Sequence, residues 1–145
     1  MKKLLIVLVC FTALGFAQNL SDVMTTEPTW KKIAGDQNFP EGPAWDGSGN
    51  LYTSSCHGKW ITKISNGSAE AFLTPSGNPF TINQTNGLAI GSDGYIYACD
   101  YGIGAILKIS PQGKTEIYAS GFGRKKFNRP NDLAFDGSGN LYFTD

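Results

Sequence analysis

The heptapeptide DGSGNLY occurs twice in this chain, at residues 46–52 and again at residues 136–142. A cluster of Asp, Gly, Ser and Asn between apolar runs is typical of a tight turn that joins two β-strands. The two copies are 90 positions apart, and a related segment, GSDGYIY, lies midway between them at residues 91–97. The chain is therefore predicted to repeat with a period of 45 residues, which is in the range of solenoids and propellers.

A shift of 45 residues aligns long segments of the chain without a gap. LYTSSCHGKWITKIS at 51–65 falls on IYACDYGIGAILKIS at 96–110, and GNLYFTD at 139–145 falls on GYIYACD at 94–100. Each unit holds short apolar runs between turn residues, and no stretch has helical periodicity long enough to compete. Four strands in about 45 residues make one propeller blade, so we predict an all-β fold, a β-propeller with about two and a half blades present.

Within a unit we name the strands A to D, from the innermost to the outermost. The A strands are predicted to begin near residues 41, 86 and 131. The segment TWKKIAG at 29–35 is interpreted as a lone D strand, which in a closed ring would complete the last blade. Propellers close with four to eight blades, and an open arc leaves unpaired strand edges. We therefore expect the sequence to be partial, with the rest of the ring missing.

The first 17 residues, MKKLLIVLVCFTALGFA, have the layout of a secretory signal peptide. Two lysines precede an apolar run, which is shorter than the roughly 20 residues that span a bilayer, and this length disfavours a membrane anchor. We predict a signal peptide at 1–17, an N-terminal segment at 18–28 and a partial propeller at 29–145. A secreted or periplasmic location follows from the signal peptide.

The charge of the chain is balanced, with 12 basic and 12 acidic residues, and signal cleavage would leave 10 against 12. This balance indicates neither a nucleic-acid partner nor, once the signal peptide is removed, a membrane. The one basic stretch, GRKKFNR at 123–129, is interpreted as a solvated loop in preference to an anion-attracting lip. The sequence does not predict an oligomeric state.

Few side chains suggest covalent chemistry. Cys56 and Cys99 remain after signal cleavage, but they do not align in the repeat, so we do not expect them to pair. His57 lies in a loop after a B strand and is predicted to be solvated. The Gly-x-Ser-x-Gly motif of nucleophilic hydrolases is absent from the sequence.

The 45-residue shift carries Glu41 to Asn86 and then to Asn131, each at the start of an A strand. In a ring, all three side chains would point toward one end of the central channel. Carboxylate and amide oxygens are ligands that Ca²⁺ prefers, whereas the nitrogen and sulfur ligands of zinc are absent from these positions. The alternative is that the three side chains satisfy backbone groups of the turns that precede the strands.

Asp100 and Asp145 are also 45 residues apart, at the ends of B strands. Because A and B strands are antiparallel, the end of B lies on the same face as the start of A. These two carboxylates are therefore expected near the mouth of the channel. They either cap the turn between B and C or hold the residues of the candidate cation site in place without binding the cation themselves.

Three segments resemble the blade openings of the gluconolactonase family, which includes senescence marker protein (regucalcin). They are FPEGPAWDGSGNLY at 39–52, TNGLAIGSDGYIYACD at 85–100 and FNRPNDLAFDGSGNLYFTD at 127–145. The resemblance implies a six-bladed ring with one divalent metal, usually calcium, at the channel mouth. It also implies hydrolysis of a lactone, with a small-molecule lactone as the partner of the site.

Carried over by motif, the resemblance makes Glu41 the carboxylate ligand of the metal and Asn131 the amide ligand, and Asn86 would contact substrate or the water on the metal. The family's remaining ligand is an aspartate of a later blade that also serves as the candidate base, and it has no counterpart here. The catalytic residue is thus unassigned, and we expect this chain to be inactive alone.

One position departs from the family pattern. Lactonases of this type often carry an arginine two residues before the second-blade Asn, where this chain has Gln84. Gln84 is therefore a candidate substrate-binding position at which preference for a gluconate-like lactone is weakened. Two other classes remain open: a noncatalytic propeller that binds a ligand or partner, and a propeller enzyme similar to strictosidine synthase.

Overall fold

The computed structural model describes residues 29, 31–75 and 82–145. The predicted signal peptide and the segment 18–28 lie outside the described residues. Within the described residues, no helix has the length and apolar character needed to cross a membrane. The all-β fold class is confirmed, because every regular element that the structure describes is a strand.

Two four-stranded antiparallel sheets form the first two blades, and each sheet follows chain order. The strands of blade 1 are β1 (Pro40–Trp45), β2 (Asn50–Ser55), β3 (Trp60–Ser65) and β4 (Ser68–Leu73). The strands of blade 2 are β5 (Thr85–Ile90), β6 (Ile96–Asp100), β7 (Ala105–Ile109) and β8 (Thr115–Ala119). They correspond to the predicted A to D strands of the first two repeat units.

Blade 2 is followed by two strand pairs. The short hairpin of β9 (Gly121–Phe122) and β10 (Lys125–Lys126) was not expected from the sequence. After it, β11 (Leu133–Phe135) pairs with β12 (Leu141–Phe143) as the A and B strands of blade 3. The fold is thus a partial propeller with two complete blades and the inner half of a third.

The predicted lone D strand at 29–35 is wrong for the residues that the structure describes, since residues 31–37 have no strand. A strand requires a hydrogen-bonded neighbour, and no described strand pairs with this segment. A side chain holds the segment instead, because Gln37 Nε2 donates to Thr62 Oγ1 at 2.9 Å.

The DGSGNLY repeats form the turns between A and B, as expected. Asp46 Oδ1 accepts hydrogen bonds from the backbone N–H groups of Ser48 (2.7 Å) and Asn50 (3.0 Å). Asp136 Oδ1 accepts the equivalent bonds from Ser138 (2.9 Å) and Asn140 (2.8 Å). An aspartate that folds back on its own turn in this way fixes the hairpin without tertiary contacts.

The core has two layers, one on each face of blade 2. Alternate residues of a strand point to opposite faces, and β6 shows this directly. Ile96 and Ala98 pack toward blade 1 with Leu88 and Leu107, whereas Tyr97 and Cys99 belong to the cluster that contains Leu133 of blade 3. All five residues of β6 are buried, as expected for a strand between two packed neighbours.

Each A strand carries a β-bulge near its start, at positions that agree within one residue across the repeat. The pairing with the B strand shifts between Glu41 and Ala44 in blade 1 and between Thr85 and Leu88 in blade 2. In blade 3, Thr144 O accepts from Asn131 N (2.9 Å) while Thr144 N donates to Asp132 O (2.9 Å). Two residues on A thus face one on B, an arrangement that bends the strand and redirects its side chains.

Successive A strands approach each other closely at glycines next to the bulge. Gly42 has a φ of 50°, and a Cβ there would lie 2.7 Å from the Gly87 Cα. A Cβ at Gly87 would lie 2.7 Å from the Asp132 Cα. Only residues without a Cβ permit this separation of backbones.

We predict that Gly87→Ala destabilises the chain by about 1–3 kcal/mol, because the added methyl overlaps the backbone of blade 3. Gly137→Ala is the control, since nothing lies within 4 Å of a Cβ at Gly137, and it should change the unfolding free energy by less than about 0.5 kcal/mol. Urea unfolding measures both. Equal effects at the two glycines would refute the close contact.

Thr85 stands at the repeat position that Pro40 and Pro130 occupy in blades 1 and 3. Its buried hydroxyl has no hydrogen-bond partner among the described residues. We predict that Thr85→Val raises the free energy of unfolding by about 1 kcal/mol, since it removes an unsatisfied polar group. Thr115→Val should lower it, because the Thr115 hydroxyl donates to Gly113 O at 3.3 Å. A loss at Thr85 as large as that at Thr115 would contradict this account.

Candidate functional site

A cleft of about 330 Å³ lies where the three A strands begin. Glu41, Asn86 and Asn131 all line it, so the structure brings together the three residues that the repeat placed at one register. Asn86 is 7% exposed, Glu41 is half-buried and Asn131 is exposed. The remaining lining residues are Gly42, Pro43, Gly87, Leu88, Asp132 and Leu133.

The backbone, rather than the side chain, of each of these three residues is tied into the fold. Glu41 O accepts from Thr53 Oγ1 at 2.9 Å and Asn86 O accepts from Ser54 Oγ at 2.8 Å. Asn131 O accepts from Gly87 N at 2.8 Å. Within residues 31–75 and 82–145, the three side chains do not serve as the turn caps that the alternative interpretation required. Their oxygens are available to a ligand.

Asp100 has a different environment from these residues. It is fully buried, and its carboxylate accepts from the backbone N–H groups of Asn83 (2.6 Å), Gln84 (3.1 Å) and Ile103 (3.0 Å). The carboxylate therefore caps the turn after β6 and holds the loop that leads to Asn86. It supports the cleft through the backbone and does not line it.

The same connection recurs in the other two blades. Asp145 accepts from Asn128 N (2.9 Å) and Arg129 N (2.8 Å), just before Asn131. In blade 1, Ser55 Oγ accepts from Asn38 N at 2.8 Å, just before Glu41. An acceptor at the end of each B strand thus fixes the entry into each A strand.

Gln84 is half-buried and lies beside the cleft, not in its lining. Its backbone is held at both ends, since its N–H donates to Asp100 and its carbonyl accepts from Tyr101 N at 3.2 Å. The 45-residue shift carries Gln84 to Arg129, an exposed cation that our sequence reasoning overlooked. The repeat carried the signal, because Gln84 and Arg129 are 45 residues apart.

Asp132 is a second lining residue that the sequence analysis missed. It follows Asn131 directly, and its Oδ1 accepts from Leu133 N at 2.9 Å. The repeat places it at the register of Gly42 and Gly87. A carboxylate at a position that is glycine in two units was a signal that we did not use.

The donor set of the cleft fits a hard cation. Glu41 offers a carboxylate and the two asparagines offer amide oxygens, which is the oxygen-rich chemistry that Ca²⁺ accepts. No three His, Cys, Asp or Glu side chains cluster as a metal site in the part of the chain that the structure describes. A cation in this cleft would therefore depend on amide oxygens as well as on Glu41.

His57 and the cysteines lie outside the cleft lining. The exposed His57 ring stacks on Phe39, with ring centroids 4.6 Å apart. Cys56 and Cys99 are both buried free thiols. Burial raises the pKa of Cys99 to about 12, and the carboxylates of Asp132 and Asp145 act in the same direction. A thiol with this pKa stays protonated at neutral pH and is a poor nucleophile.

A family model, a related sequence and a solved structure that resemble this chain all point to the same family. Residues 39–145 match the sequence model described as "SMP-30/Gluconolactonase/LRE-like region". The chain is 33% identical to a gluconolactonase of Zymomonas mobilis, over 90% of this chain and 39% of that protein. It is 26% identical to the solved gluconolactonase of Xanthomonas campestris, with a TM-score of 0.70 over 78% of this chain and 37% of that one.

Virginiamycin B lyase from Staphylococcus aureus has the same fold, with a TM-score of 0.65 at 16% identity, over 83% of this chain and 40% of the lyase. The chain spans about two fifths of the length of each of these relatives. A fold shared by gluconolactonases and a lyase does not by itself fix the chemistry.

We predict that Asp100→Ala lowers the free energy of unfolding by about 2–3 kcal/mol, because it removes the buried acceptor of three partly buried N–H groups. Asp145→Ala should cost less than about 1 kcal/mol, since water can replace an exposed acceptor. Asp100→Asn should recover part of the loss. Urea unfolding and hydrogen exchange at Asn83 and Gln84 report the effect, and equal costs at the two aspartates would contradict it.

Proposed function

The chain belongs to the SMP-30/gluconolactonase/LRE-like family, and from that membership we propose that the protein is a metal-dependent lactonase that hydrolyses lactone rings. One observation carries the proposal. Three oxygen-bearing side chains from three blades line one cleft, and none of them is used to hold the described part of the fold. Polar groups left free in a cleft are what a ligand site requires.

Glu41 and the Asn131 amide oxygen would hold the cation, and calcium suits an all-oxygen donor set best. A divalent cation bound there supplies Lewis acidity toward the lactone carbonyl and stabilises the charge that develops on its oxygen. We assign no catalytic base among the described residues. The roles of this chain are therefore to bind the metal and to orient the substrate.

Asn86 would orient the substrate. Its backbone carbonyl is fixed by Ser54 Oγ and its side chain is almost fully buried at the cleft wall. An amide offers both a donor and an acceptor, which matches a hydroxyl of a lactone or a water molecule. Leu88 and Leu133 form the apolar part of the wall, and an apolar wall strengthens polar contacts by excluding water.

The natural substrate would be a small lactone, and Gln84 beside the cleft does not favour a gluconate-like sugar over other lactones. We further propose a secreted or periplasmic protein, on the basis of the signal-peptide pattern at 1–17.

A noncatalytic propeller that binds a ligand across the same cleft is the second candidate. The two candidates differ in a measurable way, because the noncatalytic propeller requires no cation at Glu41 and Asn131.

The test measures calcium binding and lactone hydrolysis, in this chain and in any longer product of the same reading frame. We predict that Glu41→Gln and Asn131→Ala each weaken calcium binding at least about tenfold and lower hydrolysis in parallel, since each removes an oxygen ligand. Binding is read from the calcium-dependent shift of the unfolding midpoint, which does not require activity.

Glu70→Gln is the matched control, because Glu70 is an exposed carboxylate of β4 outside the cleft. It should leave calcium binding and hydrolysis unchanged. Hydrolysis that persists at full rate in Glu41→Gln would overturn the site assignment. Ligand binding without calcium dependence would favour the noncatalytic propeller.

A further inference from the structure

The loop between β8 and β11 carries a concentrated positive charge. The first ten residues of this loop, SGFGRKKFNR at 120–129, include four cations and no acidic residue. Three of the cations, Arg124, Lys125 and Lys126, belong to the β9–β10 hairpin, in which Lys125 pairs with Phe122 and Lys126 with Gly121. We call residues 121–126 the basic hairpin.

The strand directions place the basic hairpin at the same end of the blades as the cleft. The last residue of β8, Ala119, pairs with Ile106 near the start of β7, and β7 begins where β6 ends, beside the A-strand entry. A Cβ added at Gly104, in the turn between β6 and β7, would lie 3.1 Å from the Phe127 carbonyl oxygen. The base of the hairpin therefore packs on the turn at the mouth of the channel.

The distance along the chain from the hairpin to the cleft is short. Lys126 is five residues from Asn131, a separation of at most roughly 17 Å for an extended chain. At physiological ionic strength charges are screened over about 8 Å, and at low ionic strength over about 30 Å. The field of the hairpin should thus reach the cleft most strongly at low salt.

The base of the hairpin is fixed while its tip is free. Phe127 N donates to Ser120 O at 3.1 Å, and the Phe127 ring packs on Phe143 with centroids 4.8 Å apart. Asp145 holds the backbone of Asn128 and Arg129. In contrast, the Phe122 side chain is 89% exposed and the three hairpin cations are exposed. The basic hairpin thus exposes three cations and the Phe122 ring to solvent, while the residues that follow it are held in place by hydrogen bonds.

The hairpin cations are not neutralised by neighbouring carboxylates. Among the described residues, the ion pair within 4.0 Å is Lys108 with Asp93 (2.8 Å), at the opposite end of blade 2. The sequence of this loop predicted a solvated segment in preference to an anion-attracting lip. The side chains are solvated as expected, but their unpaired charge and their position at the mouth give them a role that the sequence did not show, because such a field concentrates anions at a site.

We propose that the basic hairpin attracts anionic ligands to the cleft, so that the ligand class is a small sugar acid or lactone that carries a phosphate or carboxylate. The lactone in this statement rests on the proposed function, whereas the attraction of an anion does not. The cleft volume of about 330 Å³ is at the small end of ligand sites, which suits a single sugar ring. The neutral Gln84 is consistent with a charged group being recognised elsewhere on the rim.

The experiment compares two triple variants with the same net charge. Arg124→Gln/Lys125→Gln/Lys126→Gln removes the charge of the basic hairpin. Lys31→Gln/Lys32→Gln/Lys114→Gln removes three exposed cations outside it. Binding of gluconate 6-phosphate, gluconate and uncharged glucitol is titrated at low and at physiological ionic strength, and hydrolysis of a neutral and an anionic sugar lactone is measured alongside.

We expect the hairpin variant to bind gluconate 6-phosphate on the order of tenfold more weakly at low salt, with the difference shrinking at higher salt. The control variant should bind as the unaltered chain does, and glucitol should not distinguish the three proteins. An equal loss in both variants would overturn the proposal, because net charge and not position would then explain it. Absence of binding to the unaltered chain would also overturn it.

The outcomes separate this proposal from the proposed function. Hairpin-dependent binding of the sugar phosphate, without lactone hydrolysis by any longer product of the same reading frame, would support the anion site and refute the lactonase. Hydrolysis of lactones with no preference that depends on the hairpin would refute the anion site alone. Hairpin-dependent binding to phosphatidylglycerol vesicles, with none to gluconate 6-phosphate, would replace the small ligand with a lipid surface and overturn the proposal.

Discussion

Backbone contact between successive inner strands is the constraint on which the rest of the structure depends. At Gly42 and Gly87 the chain lacks the Cβ atoms that would otherwise keep the A strands apart. The Gly87 N–H then reaches the Asn131 carbonyl at 2.8 Å, a hydrogen bond between blades 2 and 3. Because each bulge adjoins one of these contacts, the packing that joins the blades also places Glu41, Asn86 and Asn131 around one cleft.

Polar residues at the cleft end divide into two groups with separate tasks. Ser55, Asp100 and Asp145 use their side chains to hold backbone N–H groups, so they fix the chain that enters each A strand. Glu41, Asn86 and Asn131 instead engage the fold through their carbonyls and leave their side chains unbonded within the described part of the chain. The division has a physical reason, because a side chain that satisfies a backbone group cannot at the same time bind a ligand.

The period of 45 residues was sufficient to predict the A to D strands of two blades and the common register of Glu41, Asn86 and Asn131. It could not predict the pairing of strands, which depends on a neighbouring strand, and so residues 31–35 were wrongly interpreted as part of a strand. The bulges also left no signal in local propensity, since they follow from contact between blades. Asp132 and Arg129 were missed for another reason: we compared side chains of one chemical type across units and did not ask where a unit departs from its own repeat.

Departures within the repeat are informative because the backbone is constant while the side chain varies. At the register of Phe39, Gln84 and Arg129, an aromatic, an amide and a cation occupy one position, and the adjoining backbone makes the same hydrogen bond in blades 1 and 2. A position whose fold contacts are made by the main chain can change its side chain at little cost in stability. Chemistry can therefore diverge at the mouth of the channel, whereas the far-end DGSGN turns of blades 1 and 3 are identical, since there the Asp46 and Asp136 side chains themselves form the turn.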